Sequence, residues 1–337
     1  MPQPDVSLII DLIDAFRRSK IMFAAVSLGI FDLLSKGPAE ASTLAHATNT
    51  NADALERLLD ACCGLGLLLK HGRTYANHPA LEPYLCRSSS TTLAGYILYS
   101  HHALYPLWGN IEDAVREGSH RWEQTFGARG PIFDHFFKSE SAKRDFLAGM
   151  NGFGMLSSPL VAGAFDLSRF RHMVDLGGAT GHLSIAVCNR NQDLRAAVFD
   201  LPAVVEVSRE YIGQAGLANR VEVIAGDFFR DPLPEADLFS LGRILHDWSE
   251  EKVSMLLEKI YRRLPRQGAL LVAERLLDED KTAPLGALTQ SLNMLVCTEG
   301  KERTLSEYTA LLHQAGFAGV QSRRTGGPLD AVLATKH

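Results

Sequence analysis

The side chain best suited to acid–base chemistry is His246, in the segment Gly242–Ser249 (GRILHDWS). This segment follows the fourth of seven predicted strands in the second half of the chain. Ligands of open α/β sheets bind at the carboxyl ends of such strands. Arg243, Asp247 and Trp248 surround the histidine in sequence. Because imidazole removes protons well near neutral pH, we predict that His246 is a general base; the alternative is a surface or capping histidine.

Two glutamates that lie far apart in sequence could assist an imidazole base. A carboxylate that accepts a hydrogen bond from one ring nitrogen fixes the tautomer and stabilises the cationic ring. Glu274 ends the fifth predicted strand, at the same sheet edge as His246. Glu302 lies in a charged loop, where its alternative role is an ion pair with Lys301 or Arg303. The sequence leaves open which glutamate is the partner.

The segment MVDLGGATG contains the first predicted strand of this half, followed by a glycine-rich turn. Asp175 ends the strand, and Gly177 and Gly178 allow the backbone to approach a ligand closely. A dinucleotide site needs Gly-x-Gly-x-x-Gly, which neither register of the turn supplies. Asp200 and Asp227 end two further apolar runs. Together these acids indicate a nucleoside-binding sheet edge, with a plain tight turn as the alternative.

Alternating strands and helices over residues 168–337 predict an α/β fold with a Rossmann-like parallel sheet. The connection at 325–328 (TGGP) is too short for a parallel crossover, so one of the last two strands runs antiparallel. Thr304 and Glu307 form a predicted capping box at the start of a helix. The predicted strands are 172–176, 195–199, 221–224, 237–242, 268–274, 317–323 and 329–335.

Residues 1–95 predict an α-helical, winged-helix-like domain. Helices are expected over 7–18 and 21–34, followed by two more helices and a hairpin at 69–76. The helix at 21–34 is apolar nearly all round, and such a helix has to be covered. We predict that a second subunit covers it and that the chain forms a homodimer through its N-terminal helices. Burial against the larger domain is the alternative.

Composition and charge indicate a globular enzyme without nucleic-acid or membrane partners. Hydrophobic residues make up 46% of the chain, and the net charge is −5. The segment 53–60, where a recognition helix would lie, carries three acids and one arginine. Charged residues interrupt the apolar segment 6–34, and no signal-peptide pattern precedes it. Five scattered cysteines fit a reducing compartment, so a cytoplasmic location is expected.

Residues 96–337 are predicted to form the larger domain, in which the helical, aromatic-rich segment 96–167 shapes a substrate pocket. Met150 and Phe153 could roof that pocket. Asn293 is a polar residue on an apolar helix, where it could anchor a substrate group or be a satisfied core amide. No cluster of His, Asp and Glu has metal-ligand spacing, so no metal is expected.

Six segments resemble, in order, the motifs of class I S-adenosylmethionine-dependent O-methyltransferases, in their acetylserotonin O-methyltransferase-like branch. They are VDLGGATGHLS, VFDLP, GDFFRDPLP, RILHDW, SLNML and GKERT. The resemblance covers essentially the whole chain. It implies a seven-stranded methyltransferase sheet with one antiparallel strand and an N-terminal dimerisation domain. It also implies S-adenosyl-L-methionine as cofactor and O-methylation of a small aromatic acceptor, such as a phenol, hydroxyindole, quinol or polyketide-like molecule.

The resemblance also assigns roles to single residues. Those expected around the cofactor are Asp175, Gly177 and Gly178 at its methionine end, Asp200 and Leu201 at the ribose, Asp227 and Phe228 at the adenine, and Arg243 toward its carboxylate. Those expected around the acceptor are His246 as base, Glu302 and Glu274 as its carboxylate partners, Asp247 and Asn293 as positioning groups, and Met150, Phe153 and Trp248 as walls.

Other functions stay open at this point. The same scaffold methylates carbon, nitrogen or sulfur in other enzymes, and His246 would then orient the acceptor. A catalytically silent, cofactor-binding dimer is a second alternative. A dehydrogenase is a third, which the missing dinucleotide fingerprint disfavours.

Overall fold

The structure is a computed structural model that describes residues 5–127, 129–130, 133, 136–137 and 139–337. The chain folds as two compact units, one up to Ala103 and one from Leu104. The boundary expected from the sequence, between residues 95 and 96, falls inside the helix Ala94–Tyr99. The helical pattern continues through this part of the sequence, so no local feature marks the boundary between the two units.

A long helix, α1 (Val6–Ser27), and a short one, α2 (Ile30–Leu34), begin the N-terminal unit. They are separated at Gly29, whose φ of 71° lies in the left-handed region that favours glycine. The predicted break between residues 18 and 21 is wrong. Polar residues there change the exposed surface of the helix but do not interrupt its backbone hydrogen bonds.

The apolar segment 21–34 is covered within its own unit. Phe23, Ile30 and Phe31 belong to a buried cluster that also draws on the later helices and strands of this unit. The unit's own core therefore covers these three side chains, and contact of the segment with a second subunit stays a prediction. The exposed apolar side chains lie earlier, on the first half of α1: Val6, Leu8, Ile9, Ile10, Leu12, Ile13 and Phe16.

Residues 35–85 complete a winged-helix-like arrangement, as predicted. Asn51 caps the second of the two helices by accepting from the Ala54 amide at 3.0 Å. The elements are β1 (Ala39–Glu40), α3 (Ala41–Thr48), α4 (Ala52–Gly64), β2 (Leu68–His71), β3 (Thr74–Asn77) and α5 (Glu82–Leu85). Within the described residues of this unit, the three strands form one antiparallel sheet in the order β1-β3-β2.

Between α5 and the first strand of the large sheet, the regular elements among the described residues are helices. These elements are α6 (Ala94–Tyr99), a π-helical turn (Ser100–Leu104), α7 (Tyr105–Trp108), α8 (Ile111–Glu117), α9 (Trp122–Phe126) and α10 (Glu140–Ala162). Ser139 caps α10 by accepting from the Ala142 amide at 3.1 Å. Across the described residues, none of the helices has the length and apolarity that a membrane crossing requires.

Residues 139–337 are described without a gap and contain a seven-stranded sheet in the order β11-β12-β8-β7-β4-β5-β6. The strands of this part are β4 (His172–Leu176), β5 (Arg195–Asp200), β6 (Val221–Ala225), β7 (Leu238–Gly242), β8 (Ala269–Glu274), β9 (Leu276–Leu277), β10 (Arg303–Thr304), β11 (Ala318–Arg323) and β12 (Asp330–Thr335). Only β12 runs antiparallel to its neighbours within this sheet. The predicted sheet with one reversed strand is confirmed.

Helices cover both faces of this sheet. Alternate residues of the strands enter two separate apolar clusters, as a pleated strand buried on both faces requires. The predicted capping box at Thr304 and Glu307 is present. The helices are α11 (His182–Arg190), α12 (Val205–Gln214), α13 (Glu250–Arg263), α14 (Leu285–Cys297) and α15 (Leu305–Gln314), with a 3-10 turn at Leu245–Asp247.

A two-residue parallel pairing brings the two candidate glutamates together. β9 pairs with β10, and Arg303 lies opposite Leu276. Glu274 precedes β9 by one intervening residue, and Glu302 immediately precedes β10. Two side chains that are far apart in sequence therefore arrive side by side.

Candidate active site

The glycine-rich turn after β4 is packed so closely that side chains would not fit. A Cβ on Gly177 would lie 2.5 Å from Cδ1 of Ile244, and one on Gly178 would lie 2.7 Å from Oδ2 of Asp175. Gly177 also has a φ of 68°. Packing inside the protein therefore requires glycine at both positions, and close approach of a ligand to this turn stays a prediction.

Asp175 lies beneath this turn. Its carboxylate accepts from the Ser240 hydroxyl at 2.7 Å and from the Ser184 hydroxyl at 3.1 Å. Burial raises its pKa to about 6, against the effect of the two serine hydrogen bonds. Because the side chain is only 1% exposed, it supports the turn from below and does not offer a free carboxylate to a ligand.

Asp200 connects the end of β5 to the same turn. Its Oδ2 accepts from the Ala179 amide at 2.8 Å, and its Oδ1 accepts from the Leu201 amide at 2.7 Å. Burial raises the pKa of Asp200 to about 6 although both amides stabilise the carboxylate. The turn and the acid that the sequence placed 25 residues apart thus form one assembly.

Asp227 and Phe228 follow β6 at the same edge. Asp227 accepts from the Phe229 amide at 2.8 Å, which fixes a tight loop. The Phe228 ring meets Phe229 edge-on, with centroids 4.8 Å apart. Phe228 also lies near the glycine turn, because a Cβ on Gly177 would be 3.4 Å from its ring.

His246 is 2% exposed and sits on the 3-10 turn after β7. Its Nδ1 lies 2.7 Å from Oε1 of Glu302 and 3.2 Å from Oε2 of Glu274. On the other side of the ring, Nε2 lies 3.7 Å from Oδ1 of Asp247. Glu302 is the hydrogen-bond partner of Nδ1, whereas Oε2 of Glu274 lies close without a hydrogen bond. This arrangement leaves Nε2 as the atom available for proton transfer.

Glu274 also fixes the backbone that carries His246. Its Oε1 accepts from the amides of Ile244 and Leu245, each at 3.0 Å. The sequence left open which glutamate is the partner of His246, and the structure gives the two glutamates different contacts. Glu302 makes the closer contact with the imidazole, and Glu274 joins the ring to its turn.

The carboxyl groups around His246 resist ionisation. Burial raises the pKa of Glu302 to about 8, against the opposing charge of Arg243. Burial also raises the pKa of Glu274 to about 7 and that of Asp247 to about 6. Several buried carboxyl groups near one imidazole are expected to titrate as a unit and to retain protons near neutral pH.

Gly300 is a site residue that the sequence reasoning missed. A Cβ there would overlap the His246 carbonyl group, with 2.8 Å to the carbonyl carbon and 2.8 Å to the Trp248 amide nitrogen. The loop that delivers Glu302 therefore lies directly on the backbone of the His246 turn. The indication that the sequence offered for its importance was a glycine between two charged residues, Glu299 and Lys301, at the start of GKERT.

Arg303 is a second missed residue. Its guanidinium is 1% exposed, donates to the Leu245 carbonyl at 3.0 Å, and donates to Glu250 at 3.1 Å. It links the His246 turn to the first residue of α13. The alternative role that the sequence suggested for Glu302, an ion pair with Arg303, is not what the structure shows, because Arg303 pairs with Glu250.

Arg243 is brought together with the two residues predicted to roof the acceptor pocket. Its guanidinium lies 4.6 Å from the Phe153 ring centroid and 3.4 Å from Sδ of Met150. Its backbone has a φ of 58°, which is unusual for a residue with a side chain and which clusters at functional sites.

The remaining predicted acceptor residues differ in their environment. Asn293 is 8% exposed and accepts from the Trp108 indole at 2.9 Å, so its amide oxygen already has a partner. Trp248 packs edge-on against Phe229, with centroids 4.9 Å apart. Asn293 thus fits the alternative of a satisfied core amide as well as that of a substrate anchor.

His246, Glu274 and Glu302 offer three ligand atoms within 4.8 Å of one another, an arrangement that a metal ion could use. The sequence gave no sign of it, because the three residues come from separate elements. Two ligands of one tetrahedral ion lie roughly 3.4 Å apart. The 2.7 Å between Nδ1 and Glu302 is a hydrogen-bond length instead. That no metal is needed stays a prediction.

Residues 108–318 match the O-methyltransferase domain family, and residues 10–85 match the O-methyltransferase dimerisation domain. The chain belongs to the O-methyltransferase family. This O-methyltransferase is similar to acetylserotonin O-methyltransferase of Bos taurus, with 40% identity over 98% of this chain and 97% of the relative. The crystal structure of human N-acetylserotonin methyltransferase in complex with S-adenosylmethionine matches with a TM-score of 0.94 and 38% identity. That match covers 100% of this chain and 99% of the human one.

The comparisons confirm the predicted family, fold and cofactor: the chain is an S-adenosylmethionine-dependent O-methyltransferase. Its own residues fit the cofactor. The turn at Gly177 has no room for a Cβ, and the Asp200 carboxylate is fixed beside that turn. Such a carboxylate can accept from ribose hydroxyls, and Phe228 offers an apolar ring for a base. The roles of single residues stay predictions.

Proposed function

We propose that this O-methyltransferase methylates a hydroxyl group on a small aromatic acceptor, with His246 as the general base. The observation that carries the proposal is the pairing of Nδ1 with two buried carboxyl groups. Nδ1 lies 2.7 Å from Glu302 and 3.2 Å from Glu274, so Nε2 remains for the acceptor. A carboxyl group at Nδ1 fixes the ring and, when ionised, stabilises the imidazolium that a base forms.

In this account, the bound cofactor supplies an electrophilic methyl group on its sulfonium. Nε2 of His246 removes the hydroxyl proton of the acceptor, whose pKa near 10 leaves it largely un-ionised at neutral pH. When Glu302 is ionised, its carboxylate accepts from Nδ1 and stabilises the charged ring that results. Glu274 keeps the ring on its turn through the Ile244 and Leu245 amides.

For the acceptor class, we propose hydroxyindoles and related phenols. Two relatives that are 40% and 41% identical to this chain are named acetylserotonin O-methyltransferases. The aromatic wall of this chain supports a flat, apolar acceptor: Phe153 lies against Arg243, and Trp248 packs on Phe133 with centroids 5.7 Å apart. A panel of hydroxyindoles, phenols and quinols with methyl-labelled cofactor tests this. NMR of the product locates the new methyl, and a methyl on carbon, nitrogen or sulfur contradicts the proposal.

The carboxyl pair predicts a pH dependence of kcat/KM. The pKa of Glu302 is raised to about 8 and that of Glu274 to about 7, so Glu302 takes up its proton first as the pH falls, and Glu274 follows around pH 7. No carboxylate then stabilises the charged imidazole, and kcat/KM falls on the acid side. In Glu274→Gln the acid limb should move to higher pH, because only Glu302 remains. A wild-type profile that stays flat through neutral pH contradicts this.

We also propose that the chain is a homodimer through the first half of α1. The dimerisation-domain match begins within this helix, at residue 10, and the apolar residues Ile9 and Ile13 of the helix are 57% and 62% exposed. The double substitution Ile9→Asp with Ile13→Asp should give monomers by sedimentation velocity, because two carboxylates cannot be buried unpaired. Met255→Asp, at an exposed apolar site on α13, is the matched control. A monomeric wild type, or a dimer that survives the double substitution, contradicts the proposal.

A further inference from the structure

His182 is a residue of the cofactor turn to which the preceding roles assign nothing. It is the first residue of α11 and directly follows Gly181, the last glycine of the turn. The side chain is partly buried, and its Nδ1 lies 2.8 Å from the Ser158 hydroxyl of α10. The imidazole is thus held in one place at the edge of the predicted methionine end of the cofactor site.

A glycine on α10 makes room for this ring. A Cβ on Gly154 would lie 2.5 Å from Nδ1 of His182 and closer still to two carbons of the ring. Glycine inside a helix is less favourable than alanine, so its presence here has a cost in stability. Gly154 leaves space for the imidazole, and the hydroxyl of Ser158, one helical turn later, forms a hydrogen bond with it.

The contacts with Gly154 and Ser158 determine which ring nitrogen faces outward. Nδ1 is engaged with Ser158, and among the described residues no hydrogen-bond partner reaches Nε2. Nε2 is also not among the fully enclosed polar atoms without a partner, so it borders open space. When the Ser158 hydroxyl donates to Nδ1, the ring hydrogen is on Nε2, which becomes a donor.

The charge around His182 indicates what Nε2 would bind. Burial and, to a smaller extent, the nearby positive charge of Arg243 lower the pKa of His182 to about 4. The ring is therefore neutral at physiological pH, and Nε2 is its donor in the tautomer in which Ser158 donates to Nδ1. A donor next to an arginine, at the N-terminus of a helix, suits a carboxylate.

We propose that His182 donates from Nε2 to the carboxylate of the amino-acid end of bound S-adenosylmethionine, beside Arg243. Gly154 and Ser158 are then positioning residues for this contact. The inference rests on the use of S-adenosylmethionine, which family membership supplies, and on the predicted location of its methionine end. It is independent of the role of His246.

The test compares two ligands that share adenosine. S-adenosylhomocysteine carries the amino-acid carboxylate, and 5′-methylthioadenosine lacks it. For His182→Ala we expect the Kd of S-adenosylhomocysteine, measured by calorimetry, to rise roughly tenfold, the usual effect of losing a hydrogen bond to a charged group. The Kd of 5′-methylthioadenosine should not change. His182→Gln, which keeps a donor, should recover part of the loss, and Ser158→Ala should weaken only S-adenosylhomocysteine.

His172→Ala is the matched control, because His172 is an exposed histidine at the start of β4 in the same unit. Thermal unfolding of each variant checks that the fold is intact. An equal loss for both ligands shows that His182 only shapes the turn, and overturns the inference. Unchanged affinity for S-adenosylhomocysteine also overturns it. A wild type that binds neither ligand overturns the cofactor assignment as well, which separates the two failures.

Discussion

His246→Ala is expected to lower kcat by about 10²–10⁴-fold while leaving cofactor binding intact. The imidazole is 2% exposed and is the group whose free nitrogen can take the acceptor proton. Its loss removes the base and leaves Glu274 and Glu302 facing an empty space. Gly177 and Asp200, which are predicted to bind the cofactor, make no hydrogen bond to His246, so cofactor binding should be unaffected.

Steady-state rates with the best acceptor of the panel, together with the Kd of S-adenosylhomocysteine, check this result. His313→Ala is the control, because His313 is exposed near the end of α15. A variant at His246 that keeps a kcat close to the wild-type value contradicts the assignment of the base. A kcat loss that is matched by an equal loss of cofactor affinity points to a damaged fold instead.

Gly300→Ala is expected to have the second largest effect, a loss of about 10²-fold in kcat with a lower Tm. The added methyl group would overlap the His246 carbonyl group, which is backbone and cannot rotate away. Either the loop or the His246 turn has to shift, and the 2.7 Å contact between Nδ1 and Glu302 is lost. A shift of this size displaces a catalytic group without touching the cofactor residues.

Gly213→Ala is the matched control for this substitution. Gly213 lies on α12 with open space where its Cβ would be, so alanine should raise stability by about 0.5–1 kcal/mol. Rates and thermal unfolding of both variants separate the two outcomes. Normal kcat in Gly300→Ala would show that the loop does not position the base.

The elements of the large sheet could be predicted from sequence because each strand is a short apolar run that ends at a polar or glycine residue. The strand at 195–199 and the acid that ends it, Asp200, were placed in this way. The first helices were harder. The pattern of polar residues near Lys20 suggested a break, whereas the break lies at Gly29, where a left-handed backbone ends the helix.

In the candidate site, too, some features could be predicted from the sequence and others could not. His246, Glu274 and Glu302 were identified because their residue types suit acid–base chemistry at one sheet edge. Their arrangement could not be predicted, because it depends on the two-residue pairing of β9 with β10. Gly300 and Arg303 were missed for a related reason: their importance lies in contacts with the backbone of a distant turn, and no local pattern reports such contacts.

Rates on acceptors of graded acidity test the central claim most directly. Single-turnover methylation is measured for wild type and His246→Ala on a series of substituted phenols, from ordinary phenols with a pKa near 10 to phenols already ionised at the assay pH. A base is needed only where a proton must be removed, so the ratio of the two rates should be large for weakly acidic phenols and approach one for ionised phenols. The same ratio across the whole series would contradict the account and make His246 an orienting residue.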